Sequence, residues 1–369
     1  MKPIKFISVQ KENLNIKDEL LKSLNGVFSH GNFILGKEVE KLEKKISILT
    51  NTKYAVGVSS GTSALYLSLK ALGIKRGDHV LTVSMTYLTT VSSIVLAGAI
   101  PIIVDVDETM NMDINDLKNK ITKSSKAIIA VHLAGNPSNI QKIKKIANEK
   151  KIKLIEDCAQ AIGSKFKNQP VGSFGHVGCF SFHPLKNLGT LGDGGIVVTN
   201  SKKLFNYLKI ARNNGHPHRD ECDFWSFNMR LDTIHASFLL TKLKYLNKWI
   251  RQRNRNARIY REKLSGLPII LPEENKEKYH TYHLFIIRTK YREKLMTYLK
   301  EKGIETKIHY PLPVNKMKAF KKNNFKENNL RNTNKFSNEI LSLPINQYLK
   351  EKEINFIVSS IKNFFNEKN

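Results

Sequence analysis

Between Tyr54 and Thr199 the chain alternates short apolar runs with stretches of helical spacing, and this alternation constrains the fold most tightly. Tyr54–Val58, His79–Val83, Ile102–Val106, Ala127–Val131 and Lys153–Glu156 read as strands. Between them lie helical patterns at Thr62–Leu72, Thr86–Ala97, Ile114–Lys120 and Asn139–Asn148. Strands joined through helices need right-handed crossovers, so the expected core is a mostly parallel sheet covered on both faces. Gly178–Phe182 and Gly195–Thr199 read as two later strands bracketing a glycine-rich loop. A long helical pattern follows from Leu231 to about Leu264. Leu267-Pro and Leu271-Pro then break it. A strand near Leu284–Arg288 and helices near Arg292–Lys302 and Glu351–Phe364 complete the chain. The expectation is an α/β protein with a large domain over 1–264 and a smaller α+β domain over 265–369. The Lys/Asn-rich stretch 321–335 is expected to be a mobile loop.

The net charge of +29 invites a nucleic-acid reading. Of the 61 basic residues, 49 are lysine, spread through helices and loops alike, which points to a compositional bias of the surface. Attraction of polyanions still follows from such a charge, so a phosphate-bearing substrate or a nucleic acid stays open. Arg251, Arg253, Arg255 and Arg258 cluster on the long helix, where they either grip phosphates or face water. No helix-turn-helix, RNP aromatic motif or finger is recognisable. Cys158, Cys179 and Cys222 are too few and scattered for a disulfide frame or a zinc knuckle. The apolar runs are too short for a membrane span, and no signal peptide is visible. A reducing cytoplasm, no membrane and no bound metal are the expectations.

Three segments carry chemistry. In Ser59-Ser-Gly-Thr-Ser-Ala-Leu65 a strand runs into small hydroxylated residues and a helix. Helix N-termini present free N–H groups and favour anions. Gly61 and Thr62 there form either a phosphate cradle or an ordinary cap. In Leu154-Ile-Glu-Asp-Cys-Ala-Gln160, Asp157 ends a buried strand where open α/β sheets place ligands. It is either a satisfied structural carboxylate or the partner of a protonated heterocycle nitrogen, with Gln160 one turn later. In Cys179-Phe-Ser-Phe-His-Pro-Leu-Lys186, a strand ends at a forced turn and Lys186 enters a loop containing four glycines by Gly195. A lysine buried there loses pKa and becomes able to form a Schiff base. Ser181 is placed for a second phosphate contact. An anion cradle, a carboxylate and such a lysine together match pyridoxal phosphate.

The chain also resembles a known family, the DegT/DnrJ/EryC1/StrS sugar aminotransferases. The matching blocks are Phe33–Glu40, Val58–Leu65, Pro101–Asp107, Glu156–Ala161, Phe180–Gly195, Asn228–Asp232 and Ile308–Pro313. The resemblance implies an aspartate-aminotransferase type fold (fold type I) and a homodimer with shared active sites. By position it implies that Lys186 carries pyridoxal 5'-phosphate as its imine, Asp157 bonds the pyridine nitrogen and Gln160 the ring hydroxyl. Gly61, Thr62 and Ser181 would hold the phosphate, with Tyr87 on the ring face and Asn228 reaching in from the neighbouring subunit. His183, His309 and Tyr310 would lie near the sugar. A dehydratase branch carries histidine at the lysine position, so Lys186 favours transamination. The implied substrates are L-glutamate and a nucleotide-diphosphate keto-deoxysugar. Lys186-Asn-Leu-Gly and Gly192-Asp-Gly-Gly195 resemble members acting on 3-keto sugars, whereas His183 is similar to some 4-keto enzymes. A basic nucleic-acid-binding protein and a cofactor-binding sensor without turnover are the readings from other classes.

Overall fold

The computed structural model describes residues 3–325 and 330–367. Seven strands form the central sheet: β1 (Tyr54–Val58), β2 (His79–Val83), β3 (Ile100–Val104), β4 (Ser125–Val131), β5 (Lys153–Asp157), β6 (Val177–Ser181) and β7 (Gly195–Thr199). Their order is β1-β7-β6-β5-β4-β2-β3. The pairs β2–β3, β2–β4, β4–β5 and β5–β6 are parallel, while β7 runs antiparallel to both β1 and β6. β6 and β7 pair antiparallel because only the glycine-rich loop joins them, with no crossover helix between.

Alternation along each strand sends successive side chains to opposite faces. Ile128 and Ala130 of β4 enter one apolar cluster with Leu154 and the helix Ile140–Glu149, whose Ile143 and Ile146 face it. Ala127 and Ile129 enter another, built against the helix Gly61–Ala71. Both faces are therefore covered, as the sequence predicts. A third cluster closes the β1–β7 end with Phe180, Phe182 and the helix Lys37–Leu49. A fourth joins the two-stranded pair β8 (Phe285–Arg288) and β9 (Ile340–Leu343) to the helices Arg292–Glu301 and Glu351–Asn366. We propose the division near 264/265 as a domain boundary, supported by this fourth cluster. Ile4, Ala257, Tyr260 and Leu264 pack into it from the other side.

Several sequence expectations need amendment. The long helical pattern from Leu231 resolves into two helices, Thr233–Leu243 and Leu246–Leu264. The helix expected from Thr86 begins at Thr89, because Ser84-Met-Thr-Tyr87 forms the turn after β2. The expected loop over 321–335 is cut short by a helix, Arg331–Glu339, while residues 326–329 lie outside the described residues. Asp105 explains that helix: its carboxylate accepts from the backbone N–H groups of Asn332 (2.9 Å) and Thr333 (2.8 Å). It satisfies donors that a first turn leaves open. The arginine cluster is not one feature. Arg255 pairs with Glu351 and Arg258 with Glu262 at the surface. Arg253 is buried and donates to the carbonyls of Tyr282 (3.1 Å) and Ile345 (2.9 Å). No helix among the described residues is long and apolar enough to cross a membrane.

A buried polar network ties the helix Val9–Asn15 to the rest. Glu12 bonds the Lys242 ammonium at 2.8 Å and the Gln347 amide at 2.6 Å, and Gln347 accepts from Arg253 at 3.2 Å. Lys242 is fully buried, so its charge depends on Glu12 for compensation. Removing one partner strands the other charge, whereas replacing both removes the problem. Glu12→Ala should lower the unfolding free energy by about 3–5 kcal/mol, and Glu12→Leu with Lys242→Met by much less. Urea denaturation of the three proteins checks this order.

Candidate active site

The carboxyl ends of β2, β4 and β5, together with the loops after β1 and β6, surround a cavity of about 630 Å³. Ten of the eleven residues singled out in the sequence line it. Asn228 is not among the lining residues; it is exposed and pairs with Asn213.

The floor begins at the turn after β1. Ser60 caps the helix Gly61–Ala71, its hydroxyl accepting the Ser63 N–H at 3.0 Å. The N–H groups of Gly61 and Thr62 stand ahead of that bond, in the turn where intrahelical acceptors are missing. A Cβ added to Gly61 would sit 2.8 Å from the Ser181 Cβ. Any side chain at 61 would therefore crowd the hollow between the helix start and the end of β6. That hollow offers the free donors and the space that an anion would need.

Asp157, at the end of β5, is buried and held on both oxygens. Oδ2 accepts the Thr90 hydroxyl at 2.8 Å and Oδ1 the Ala159 N–H at 3.1 Å. The Thr90 hydroxyl also lies 2.8 Å from that of Thr86. Burial raises the Asp157 pKa, opposed by these two hydrogen bonds and by the charge of Lys186. Both hydrogen-bond donors are neutral, so a ligand cation placed here would gain from a desolvated carboxylate. Gln160 is tied at both ends: its oxygen accepts the Ala134 N–H at 2.6 Å and its amide donates to the Tyr310 hydroxyl at 2.8 Å. The Tyr87 and Tyr310 rings lie 5.8 Å apart.

Lys186 follows a loop that its own backbone closes, with N–H donated to the His183 carbonyl at 2.9 Å. Gly189 is required there, since a Cβ would meet the His183 and Pro184 carbonyl oxygens at 2.7 Å. Burial brings the Lys186 amine down to about 8, partly offset by the charge of Asp157. Three imidazoles surround it. His183 and His283 are lowered by burial first and Lys186 second, and His309 is lowered to about 4 by the same causes. All three are therefore biased toward the neutral form. His283, Thr90 and Ile7 have no signal in the sequence: each is an ordinary residue whose place depends on the tertiary fold.

His132, Glu156 and Cys158 bring their ligand atoms within 4.8 Å of one another. This donor set is already in use. Glu156 accepts N–H groups from Gly172 (2.8 Å), Phe174 (2.7 Å) and Gly175 (2.7 Å). The Ser138 N–H donates to His132 Nδ1 at 3.0 Å, so Nε2 carries the proton toward Glu156 at 3.1 Å. The cluster clamps a loop.

An anion cradle, a buried carboxylate facing the cavity and an amine with lowered pKa suit pyridoxal phosphate. Comparison with known proteins agrees. The family model described as "DegT/DnrJ/EryC1/StrS aminotransferase family" matches residues 14–362. The "Pleiotropic regulatory protein" of Geobacillus stearothermophilus is 36% identical over 98% of this chain and 98% of its own. The "dTDP-3-amino-3,6-dideoxy-alpha-D-galactopyranose transaminase" of Aneurinibacillus thermoaerophilus is 37% identical over 98% and 99%. The crystal structure of NtdA from Bacillus subtilis with bound cofactor PMP superposes with a TM-score of 0.94 at 28% identity, covering 99% of this chain and 86% of that one.

The electrostatics of this cavity give a test without catalysis. In cofactor-free protein, Lys186 should acylate with a pH midpoint near 8. Asp157→Asn removes the charge that supports the ammonium, so the midpoint should fall further. Peptide mass spectrometry after timed labelling across pH reads both midpoints. Thr90→Val should raise the Asp157 pKa, because the lost hydroxyl bond favours the ionised form. NMR titration of the labelled carboxyl carbon checks the direction.

Proposed function

This chain belongs to the DegT/DnrJ/EryC1/StrS aminotransferase family, and from that premise we propose that it moves an amino group from L-glutamate to a 3-keto-deoxysugar carried on a nucleoside diphosphate. It is a transaminase that uses pyridoxal phosphate. The observation that carries the reading is the convergence of Lys186, Asp157 and the Gly61–Thr62–Ser181 cradle on one cavity.

When bound, pyridoxal phosphate supplies an electron sink for negative charge developing on carbon. In this proposal Gly61, Thr62 and Ser181 hold its phosphate and Tyr87 covers its ring. Asp157 keeps a proton on the ring nitrogen, and Gln160 bonds the ring hydroxyl. Lys186 would hold the group covalently through its Nζ. Nζ of Lys186 then removes the proton from the donor Cα as a general base. A pKa lowered to about 8 suits that task, because far more of the amine is unprotonated near neutral pH than for an ordinary lysine. In the second half-reaction the same nitrogen delivers a proton to the sugar carbon that receives the amino group. His183, His309 and Tyr310 contact the sugar. Their neutral imidazoles suit hydroxyl groups, since each offers one donor and one acceptor.

The 3-keto choice rests on Lys186-Asn-Leu-Gly and Gly192-Asp-Gly-Gly195, and on the likeness to a transaminase named for a 3-amino sugar. His183 favours a second reading, amination at carbon 4. Incubation with nucleotide 3-keto and 4-keto sugars, with NMR of the products, decides between them.

Replacement of Lys186 by Ala should abolish turnover without unfolding the protein, and Arg should not restore it, since its guanidinium does not deprotonate. Near wild-type turnover in purified Lys186→Ala would falsify the assignment. The proposed dimer gives a sharper prediction. Asn228 is exposed on its own chain, as a residue serving the partner's site should be. A heterodimer of one Lys186→Ala subunit and one Asn228→Ala subunit has both lesions in one site and none in the other. Activity should rise above that of either parent homodimer, measured on separately tagged and purified heterodimer. No recovery, with both parents impaired, places Asn228 in its own subunit's site.

A further inference from the structure

Residues 3–7 cross from the α+β part of the fold to the rim of the cavity. Ile4 pairs in parallel with Ile304, its N–H donating to the Gly303 carbonyl at 2.8 Å and its carbonyl accepting the Glu305 N–H at 3.0 Å. The Phe6 N–H then donates to the Glu305 carboxylate at 3.0 Å. Ile4 and Phe6 are 3% and 5% exposed, so this strap is embedded. Its last residues reach the site. Ile7 lines the same cavity as Lys186. The Phe6 ring stacks on the His309 imidazole, with centroids 5.5 Å apart and planes 22° from parallel.

His309 has few other restraints. Its Nδ1 lies 2.9 Å from the buried Ser342 hydroxyl, and the Tyr310 ring meets its edge at 5.6 Å. The Ser342 bond fixes one ring atom, but a ring can still swing about a single bond. The stacked phenyl removes that freedom and leaves the remaining ring edge for a ligand.

We propose that Phe6 is a positioning residue for the sugar half of the reaction, fixing the His309 imidazole, while Ile7 supplies an apolar wall beside it. The strap thus joins a specificity element to the backbone at Gly303–Glu305. This rests on the proposed function, through His309 as a sugar contact. An apolar wall next to a neutral imidazole fits a deoxysugar, which has a carbon face without a hydroxyl and a neighbouring face with one.

Three variants test it. Phe6→Leu keeps apolar volume and removes the ring, Phe6→Tyr keeps the ring, and His309→Ala removes the positioned group. Phe6→Leu should raise KM for the nucleotide ketosugar about tenfold, because small misplacements of a contact are costly. The glutamate half-reaction, followed by the cofactor's visible band, should stay within about twofold. NMR titration gives a readout independent of turnover. Burial holds His309 down first, with Lys186 and Lys307 adding to it and His283 facing it. Loss of the covering ring should move its midpoint upward. Phe6→Tyr should restore both the KM and the midpoint. A KM rise confined to the sugar, with rescue by tyrosine, supports the proposal. Equal loss in both half-reactions, no rescue, or unchanged KM in Phe6→Leu overturns it. If His309→Ala leaves KM unaltered, or the wild type converts no nucleotide ketosugar, the sugar site itself fails, and the titration still reports whether the strap orders the ring.

Discussion

Two adjacent carboxylates at the end of β5 organise this molecule. A strand sends neighbouring side chains to opposite faces, so Glu156 and Asp157 cannot share an environment. Glu156 turns away from the cavity and gathers three backbone N–H groups from 172–175 together with His132. That clamp fixes the loop leading into β6, whose end carries Ser181 and whose continuation carries Lys186. Asp157 turns into the cavity with neutral donors on both oxygens. One residue of register separates a carboxylate buried in a loop clamp from one that lines the cavity. A slip of one would exchange them and lose both.

The parallel sheet was legible because its evidence is local and periodic. Apolar runs, helical spacing and glycine turns report on the residues beside them. The places of Gly61, Thr62, Asp157 and Lys186 at one end of the sheet were legible for a related reason: the end of a strand and the start of the next element form one short sequence window. The family resemblance added Tyr87, His309 and Tyr310, which no local pattern marks. The rest was hidden by distance along the chain. Thr90 reaches Asp157 across 67 positions, and Phe6 meets His309 across most of the sequence. Asp105 also follows a strand of the sheet, yet it caps a helix more than two hundred residues away. Only the fold distinguishes such a cap from a ligand site.

Charge shows the same limit. Arg251, Arg253, Arg255 and Arg258 look alike in sequence, yet of these only Arg253 turns inward, where it serves the carbonyls of the turn carrying His283. That turn needs help, since Tyr282 lies at φ 46, in the left-handed region that non-glycine residues avoid. Such a conformation persists when its surroundings over-determine it. Here Arg253 on one side and the Gly135 and Ala134 carbonyls on the other supply the restraint. Net positive charge therefore says little about function in this protein until each cation has been placed.

The Glu12 network has a consequence for how the chain is made. Glu12 and Gln347 are 335 positions apart and buried together with Lys242 and Arg253. Synthesis runs from the first residue to the last at roughly 5–20 residues per second. The helix Val9–Asn15 therefore leaves the ribosome long before any partner for Glu12 exists. Closing a contact of such span is slow, since the intervening chain must first be ordered. During that interval the central sheet can assemble with the helix loose, and Lys242 keeps its water until the end. The last helix to dock would then be one translated well before its partner, so completion of the fold waits on the arrival of residue 347.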